Sequence, residues 1–427
     1  MANARQVENI YKKVTLRLIP FLFICYLAAY LDRVNVGFAK LQMLSDLKFS
    51  ETVYGLGAGI FFIGYFLFEV PSNILLEKIG PRVWISRIMI SWGVLSSCMM
   101  FVNSETTYYV LRFLLGIAEA GFFPGIILYL TYWYPQDRRG RIVALFMTAI
   151  AFSGVLGGPL SGWIMEYFSG MHGLAGWQWL FLLEGLPSVI LGVATFLYLD
   201  DTIQKAKWLN TEEKAYLQSR LDADAVKKVH MPISKVFTDM RIWLFSGIYF
   251  FIVMGLYGIG FWLPNIIKAA GVTDVFHNGL LSSIPYLIAA VAMVLIGKNS
   301  DRTNERHWHM IILTLVGAAG FWLSSTYSNN IVIALLGITI AAIGVLSSIA
   351  LSWSLPTAYL AGPAAAAGIA MINSIGNLSG FVSPFIVGWI KDSTGSLTGG
   401  LHFLAISIAL GGVLVFSTKR LKPTRTN

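Results

Sequence analysis

The chain has 427 residues, 56% of them hydrophobic and 12% charged, with 31 Lys and Arg against 22 Asp and Glu and a formal net charge of +9. A mean hydropathy of +0.67 excludes an ordinary soluble domain. Apolar runs of about 20 residues cross a bilayer core, and the chain holds twelve of them, beginning near Leu18, Val53, Val83, Tyr108, Ile142, Trp179, Ile242, Gly279, Met310, Ile331, Ala364 and Leu401. The alternating ten-residue strands of an outer-membrane barrel are absent. The spans are therefore helices, the form that satisfies its own backbone groups in lipid.

Span 1 is too long and too interrupted for a signal peptide, lacks a small-residue cleavage site, and is expected to be retained. It carries Asp32 and Arg33 inside its apolar run, with Tyr30 three residues before Arg33 on roughly the same helix face. Span 2 contains Tyr65 and Glu69 and runs into Glu77-Lys78-Ile79-Gly80-Pro81-Arg82. Glu69 lies toward the inner end of that span, and a helix-end contact with a basic loop is the simple expectation for it. In span 4, Arg112 and Glu119 are seven residues apart, so they share a face about 10 Å apart along the axis. Gly116 and Ala120 near that face let another helix approach closely. Span 5 holds Gly154, Gly158, Pro159 and Gly162, and span 6 holds Glu184, whose role the sequence leaves open. Cys25 and Cys98 both fall in apolar segments, which suggests neither a disulfide framework nor a zinc site.

The stretch 200–241 is charged and is the one sizeable polar linker. Asn210 as an N-cap with Glu213 three residues on predicts a short amphipathic helix there. It divides an N-terminal bundle, 1–199, from a C-terminal bundle, 242–427. The second half has no intramembrane Arg or Lys, so its contribution to a polar site is neutral: Tyr257 in span 7, Ser352 and Trp353 in span 10, Asn373 and Asn377 in span 11. Asn in lipid faces a cavity or a neighbouring helix, and both readings stay open for these two. A tryptophan such as Trp353 either stacks on a ligand or packs at an interface.

With both termini inside, the inner segments carry 25 of the 31 Lys and Arg. That is the positive-inside bias of a multi-pass protein, here expected in a bacterial inner membrane. It explains the basicity without nucleic acid. The halves also repeat. Glu77 and Asp301 are 224 residues apart, as are Arg17 and Arg241, and Gly162-Trp163 and Gly388-Trp389 are 226 apart. Duplicated halves are a transporter trait.

Intramembrane charges are costly and line a polar path or pair with one another. A carboxylate there loses hydration and can exchange a proton near neutral pH, while a nearby arginine favours its ionised form. That tension suits a proton carrier; a permanent charge latch is the alternative. The guanidinium of Arg33 offers a planar fork that matches a carboxylate.

The layout resembles the major facilitator superfamily over essentially the whole chain. The resemblance rests on Glu77, Lys78, Gly80 and Arg82 after span 2, and on Gly297, Asp301, Arg302 and Arg306 repeating them after span 8. It rests also on Arg112, Gly116 and Ala120 in span 4, and on Gly154, Gly158, Pro159 and Gly162 in span 5. Tyr30-Leu31-Asp32-Arg33 with Asn35, Gly59 to Tyr65, Arg112 to Gly121, Gly176 to Gly185 and Asn373 to Asn377 make it similar to the anion:cation symporters that import organic acids. The resemblance implies an all-α membrane protein with twelve helices in two pseudo-symmetric six-helix bundles. It implies proton-coupled uptake of a small organic carboxylate (a sugar acid, a tartrate-like hydroxy acid or an aromatic acid) by alternating access, with exchange or export of organic anions as the alternative. It places proton coupling at Asp32 and Glu119 with Arg112 beside them, and substrate at Tyr30, Arg33, Tyr65, Tyr257, Ser352, Trp353 and Asn373. Gating or structural roles fall to Glu77, Lys78, Gly80, Arg82, Gly154, Gly158, Pro159, Asp301, Arg302 and Arg306. The expected partners are a small organic anion, protons and lipid, for a monomer without cofactor or metal. No Ser-His-Asp set or Walker loop suggests an enzyme. A receptor that binds the acid without moving it is the reading from another class.

Overall fold

The computed structural model describes residues 4–226, 238–303, 305–353, 355–356 and 363–418. Among them there is no strand, and twelve helical stretches are long and apolar enough to cross a membrane. The first six spans are Arg5–Leu47, Glu51–Ile79, Pro81–Phe101, Glu105–Thr131, Asp137–Tyr167 and Gly176–Tyr198. The second six are Met240–Ala269, Val275–Ser300, His307–Thr326, Ile331–Ser352, Gly368–Thr394 and Thr398–Thr418. An even number of crossings puts residues 4 and 418 on one face, called here the terminal face; the other is the far face. The linker helix Thr211–Val226 starts where the sequence predicts. Asn210 Oδ1 accepts from the Glu213 amide (2.8 Å) and Glu213 Oε2 accepts from the Asn210 amide (2.9 Å), a reciprocal cap. Lys13 Nζ, 2.8 Å from Glu213 Oε2, ties this helix to the start of span 1.

Four spans are less regular than their hydropathy predicts, among them span 5, which steps at Thr148 between helices Gln136–Met147 and Ala149–Tyr167. Span 1 steps at Asn35 between helices Ala4–Val34 and Val36–Leu47. Span 4 breaks directly after Glu119, between Glu105–Glu119 and Phe122–Thr131. Span 11 steps at Leu378, between Pro363–Asn377 and Ser379–Thr394. The break in span 4 needs glycine on two counts: Gly121 has φ +86°, and a Cβ there would collide with the Ser72 side chain.

Within the first half, span 4 lies against span 2 with Gly116 on the Phe61 backbone and Gly64 on the Phe113 carbonyl. The two halves meet along two antiparallel seams. Span 2 packs on span 11 with Gly55 against Pro384 and Gly388 against Glu51, and span 8 packs on span 5 with Gly279 against Gly158 and Gly162 against Val275. At each of these contacts a Cβ would strike main-chain atoms, so glycine is what lets the backbones touch.

Candidate functional site

Arg33 of span 1 and Glu119 of span 4 form a buried ion pair. Arg33 Nε donates to Glu119 Oε1 at 3.1 Å, and Nη2 makes a second contact to the same oxygen. Both residues are buried. The Phe61 and Tyr65 rings flank the guanidinium, their centroids 5.6 and 5.3 Å from Cζ, a placement that favours a cation over apolar surface. Glu119 Oε2 makes no hydrogen bond. A pair this deep is sustained only while both partners remain, because removing one leaves a buried charge at a cost of about 3–5 kcal/mol.

The second half closes over this pair. Tyr257 lies beside Arg33; its hydroxyl and Asn377 Oδ1 are 3.0 Å apart, and its ring meets Phe62 edge-on at 4.5 Å. One helical turn from Tyr65, Glu69 accepts hydrogen bonds from Asn373 Nδ2 (3.3 Å) and Ser374 Oγ (2.9 Å) of span 11. This corrects the expectation of a helix-end contact with a basic loop. Span 2 continues to Ile79, ten residues past Glu69, so the carboxylate is inside the protein and neutral donors of the other half satisfy it.

Asp32 is adjacent to Arg33 in sequence but faces elsewhere, since neighbours on a helix point about 100° apart. It accepts from Trp92 Nε1 (2.9 Å), Ser96 Oγ (2.8 Å) and Ser188 Oγ (2.6 Å), all within the first half. Asp32→Ala leaves three buried donors without an acceptor, each costing about 1–3 kcal/mol. The expected result is a thermal midpoint in detergent well below that of Asp32→Asn, which keeps one acceptor; equal midpoints would show that the cluster does not hold the bundle together. Glu184 joins spans 5 and 6 by accepting from Ser161 Oγ at 2.7 Å. Arg112 shares the helix face of Glu119, yet it donates to the carbonyls of Gly57 (3.1 Å) and Ala58 (3.2 Å) and so fastens span 4 to span 2.

Tyr30 lines a cleft of about 20 Å³ with Asn35, Gly154, Gly158 and Tyr286, and its hydroxyl makes no hydrogen bond. Ser352 and Trp353 line another of about 10 Å³ with Tyr249 and Ile372, the Tyr249 and Trp353 rings 4.8 Å apart. Each has room for roughly one water, so admitting a larger solute at either requires the surrounding helices to part.

Of the terminal-face motif, Glu77 and Lys78 are exposed. Gly80 (φ +105°) turns the chain so that the Arg82 amide reaches Asp201 Oδ1 (3.1 Å), and Arg82 Nε reaches the Phe196 carbonyl (2.6 Å). The motif is thus clamped to the end of span 6 in its own half. After span 8, Arg302 is exposed and Arg306 donates to Ser300 Oγ at 2.7 Å; the side chain of Asp301 lies outside the described residues. Gly154 packs on the Tyr286 ring and Gly158 on Gly279, with Pro159 half-buried beside them in the seam of spans 5 and 8.

Sequence reasoning missed the far-face closure. Lys40, near the far-face end of span 1, is 3% exposed, with Nζ 3.5 Å from the Trp262 ring centroid and 2.5 Å from Glu51 Oε2. Lys391 of the other half pairs with the same Glu51. Asp392 accepts from the Glu51 amide (3.1 Å) and the Thr52 amide (2.6 Å), so a carboxylate of one half caps the N-terminus of span 2 in the other. The Ser50-Glu51 helix start was readable; that its partners lie about 340 residues away was not.

Residues 22–423 match the family described as Major Facilitator Superfamily. The chain is 50% identical over 427 residues to a protein of Pseudomonas putida named as the metabolite transport protein NicT, covering 98% of each. It is 49% identical over 417 residues to a protein of Agrobacterium vitis named as a tartrate transporter, covering 97% of this chain and 92% of that one. Its fold is similar to the inward-facing, occupied structure of a bacterial homologue of the human lysosomal transporter Spinster, with TM-score 0.73 and 16% identity, covering 96% of this chain and 97% of that one.

Proposed function

The chain belongs to the major facilitator superfamily and is a multi-pass membrane transporter of small substrates, and from that premise we propose that it takes up a small organic carboxylate together with protons by alternating access. The observation that carries this is the buried Arg33–Glu119 pair at the junction of the halves. One guanidinium in a dry site satisfies one carboxylate fully. A proton on Glu119 frees the Arg33 fork, and the carboxylate of the substrate takes the place Glu119 leaves. Tyr65 and Tyr257 border that place directly. Asn373 stands one turn toward the terminal face, and Tyr30, Ser352 and Trp353 line the clefts that widen when the halves part. Arg112 holds Glu119 in register through span 2, and Asp32 is the second proton site in the family pattern. The terminal face is the cytoplasmic one, on the bias of Lys and Arg toward it. A relative named as a tartrate transporter supports a hydroxylated acid as cargo.

The test is uptake of tartrate into vesicles under an imposed inward proton gradient, which is expected to accelerate it; indifference to the gradient counts against symport. Glu119→Gln is expected to keep exchange of labelled for unlabelled acid and to lose accumulation driven by the gradient. Accumulation as in the parent would remove Glu119 from coupling. Exchange of organic anions is the second reading, favoured by the Gly154-to-Gly162 pattern now seen at a seam between the halves; it predicts uptake that needs acid on the opposite side and ignores the proton gradient.

A further inference from the structure

The two seams are related by the internal repeat. A shift of 224 residues carries Glu51 onto Val275 and Gly55 onto Gly279; a shift of 226 carries Gly158 onto Pro384 and Gly162 onto Gly388. Every close contact named for one seam therefore has its counterpart in the other. Toward the terminal face the symmetry fails. In the seam of spans 2 and 11, Glu69 meets Asn373 and Ser374. The corresponding residues of spans 8 and 5 are Met293, Met147 and Thr148, which offer no carboxylate.

Glu69 is 18 residues from Glu51, and Asn373 is 18 residues from Lys391. At 1.5 Å per residue, the two polar contacts stand about 27 Å apart along one antiparallel helix pair. Among the described residues, Glu69 makes the polar contact of this seam nearest the terminal face. The candidate site lies on its far-face side, since Tyr65 is one turn back toward Glu51 and Asn377 is one turn on toward Lys391. The closures differ in strength. At the far face two lysines, Glu51 and Asp392 interlock, with Lys40 buried on Trp262. At the Glu69 end, one carboxylate meets two neutral donors.

We infer that the Glu69 clasp on Asn373 and Ser374 is the gate between the central site and the terminal face, opened once in each transport cycle. The inference uses alternating access alone. It holds whatever the cargo and whether or not protons move with it, so its failure and that of the carboxylate–proton reading are separable.

The experiment reads thiol accessibility without substrate. In a background lacking Cys25 and Cys98, Asn377→Cys places a reporter on the site side of the clasp. A membrane-impermeant maleimide is applied to vesicles of each orientation, and an exposed linker cysteine, Ser219→Cys, identifies which orientation presents the terminal face. Glu69→Ala is expected to raise the labelling rate from the terminal face about tenfold, the size of a modest population shift, with no rise from the far face. Glu69→Gln, which retains an acceptor, is expected to fall between parent and Glu69→Ala. Ser374→Ala is expected to give a smaller rise of the same direction and serves if Glu69→Ala does not fold. Terminal-face labelling unchanged in both Glu69→Ala and Ser374→Ala, or a rise from both faces alike, would overturn the gate.

Discussion

Arg33→Ala is expected to abolish carboxylate binding, weakening it by at least about 100-fold, the scale of a lost buried charge-assisted pair. The measurement is the rise in thermal midpoint that an acid such as tartrate gives the parent protein, because a ligand of the folded state stabilises it by mass action. The same variant leaves Glu119 buried without its cation, so its own midpoint should fall. Stability and binding can then be told apart. Adding Glu119→Gln to Arg33→Ala removes the orphaned charge and is expected to restore the midpoint but not the response to acid. Arg33→Lys should lie between, since an ammonium keeps the charge and loses the planar fork. A response in Arg33→Ala equal to that of the parent would take Arg33 out of the site.

Gly158→Val is expected to stop transport while leaving the protein in the membrane. A Cβ at Gly158 meets the Gly279 carbonyl oxygen, which is backbone and cannot swing aside. Overpacking of this kind costs about 1–3 kcal/mol when the structure yields, and here the yielding part is the contact between the halves. Initial uptake should drop by about tenfold or more, the effect of 1.4 kcal/mol on a rate. Gly55→Val, at the corresponding contact of the other seam, where a Cβ meets the Pro384 carbonyl oxygen, should do the same. Gly140→Ala is the control: no atom lies within 4 Å of a Cβ built there, so uptake should match the parent. Parent-like uptake in both seam variants would mean that the glycine contacts do not bear on the cycle.

What the sequence could convey followed how local each signal was. The twelve spans and the Asn210–Glu213 cap depend on residues within one helix, and both appear where composition and spacing put them. The 224- and 226-residue offsets were legible, but their meaning as matched glycine seams required knowing which helices touch. Asp32 and Arg33 are adjacent in the sequence, but the helix turns them to different neighbours, Asp32 toward Trp92 and Arg33 toward Glu119. Glu69 was misread for a related reason. Its partners Asn373 and Ser374 belong to the other half, and no short-range pattern encodes a contact across about 300 residues. The step out of helix after Glu119 had a faint signal in Ala120-Gly121 ahead of Pro124, which apolar run length alone overrides.

That interruption has a consequence for how Glu119 can move. Arg112 is bound to the Gly57 and Ala58 carbonyls and Gly116 rests on Phe61, so the first part of span 4 and span 2 travel as one plate. Ala120 and Gly121 interrupt the helix between that plate and Phe122–Thr131. Gly121 and Gly125 lie against Ser72 and Leu76 of that same span 2, so a tilt of span 2 is expected to carry both parts of span 4 and, at the break between them, the acid that faces Arg33.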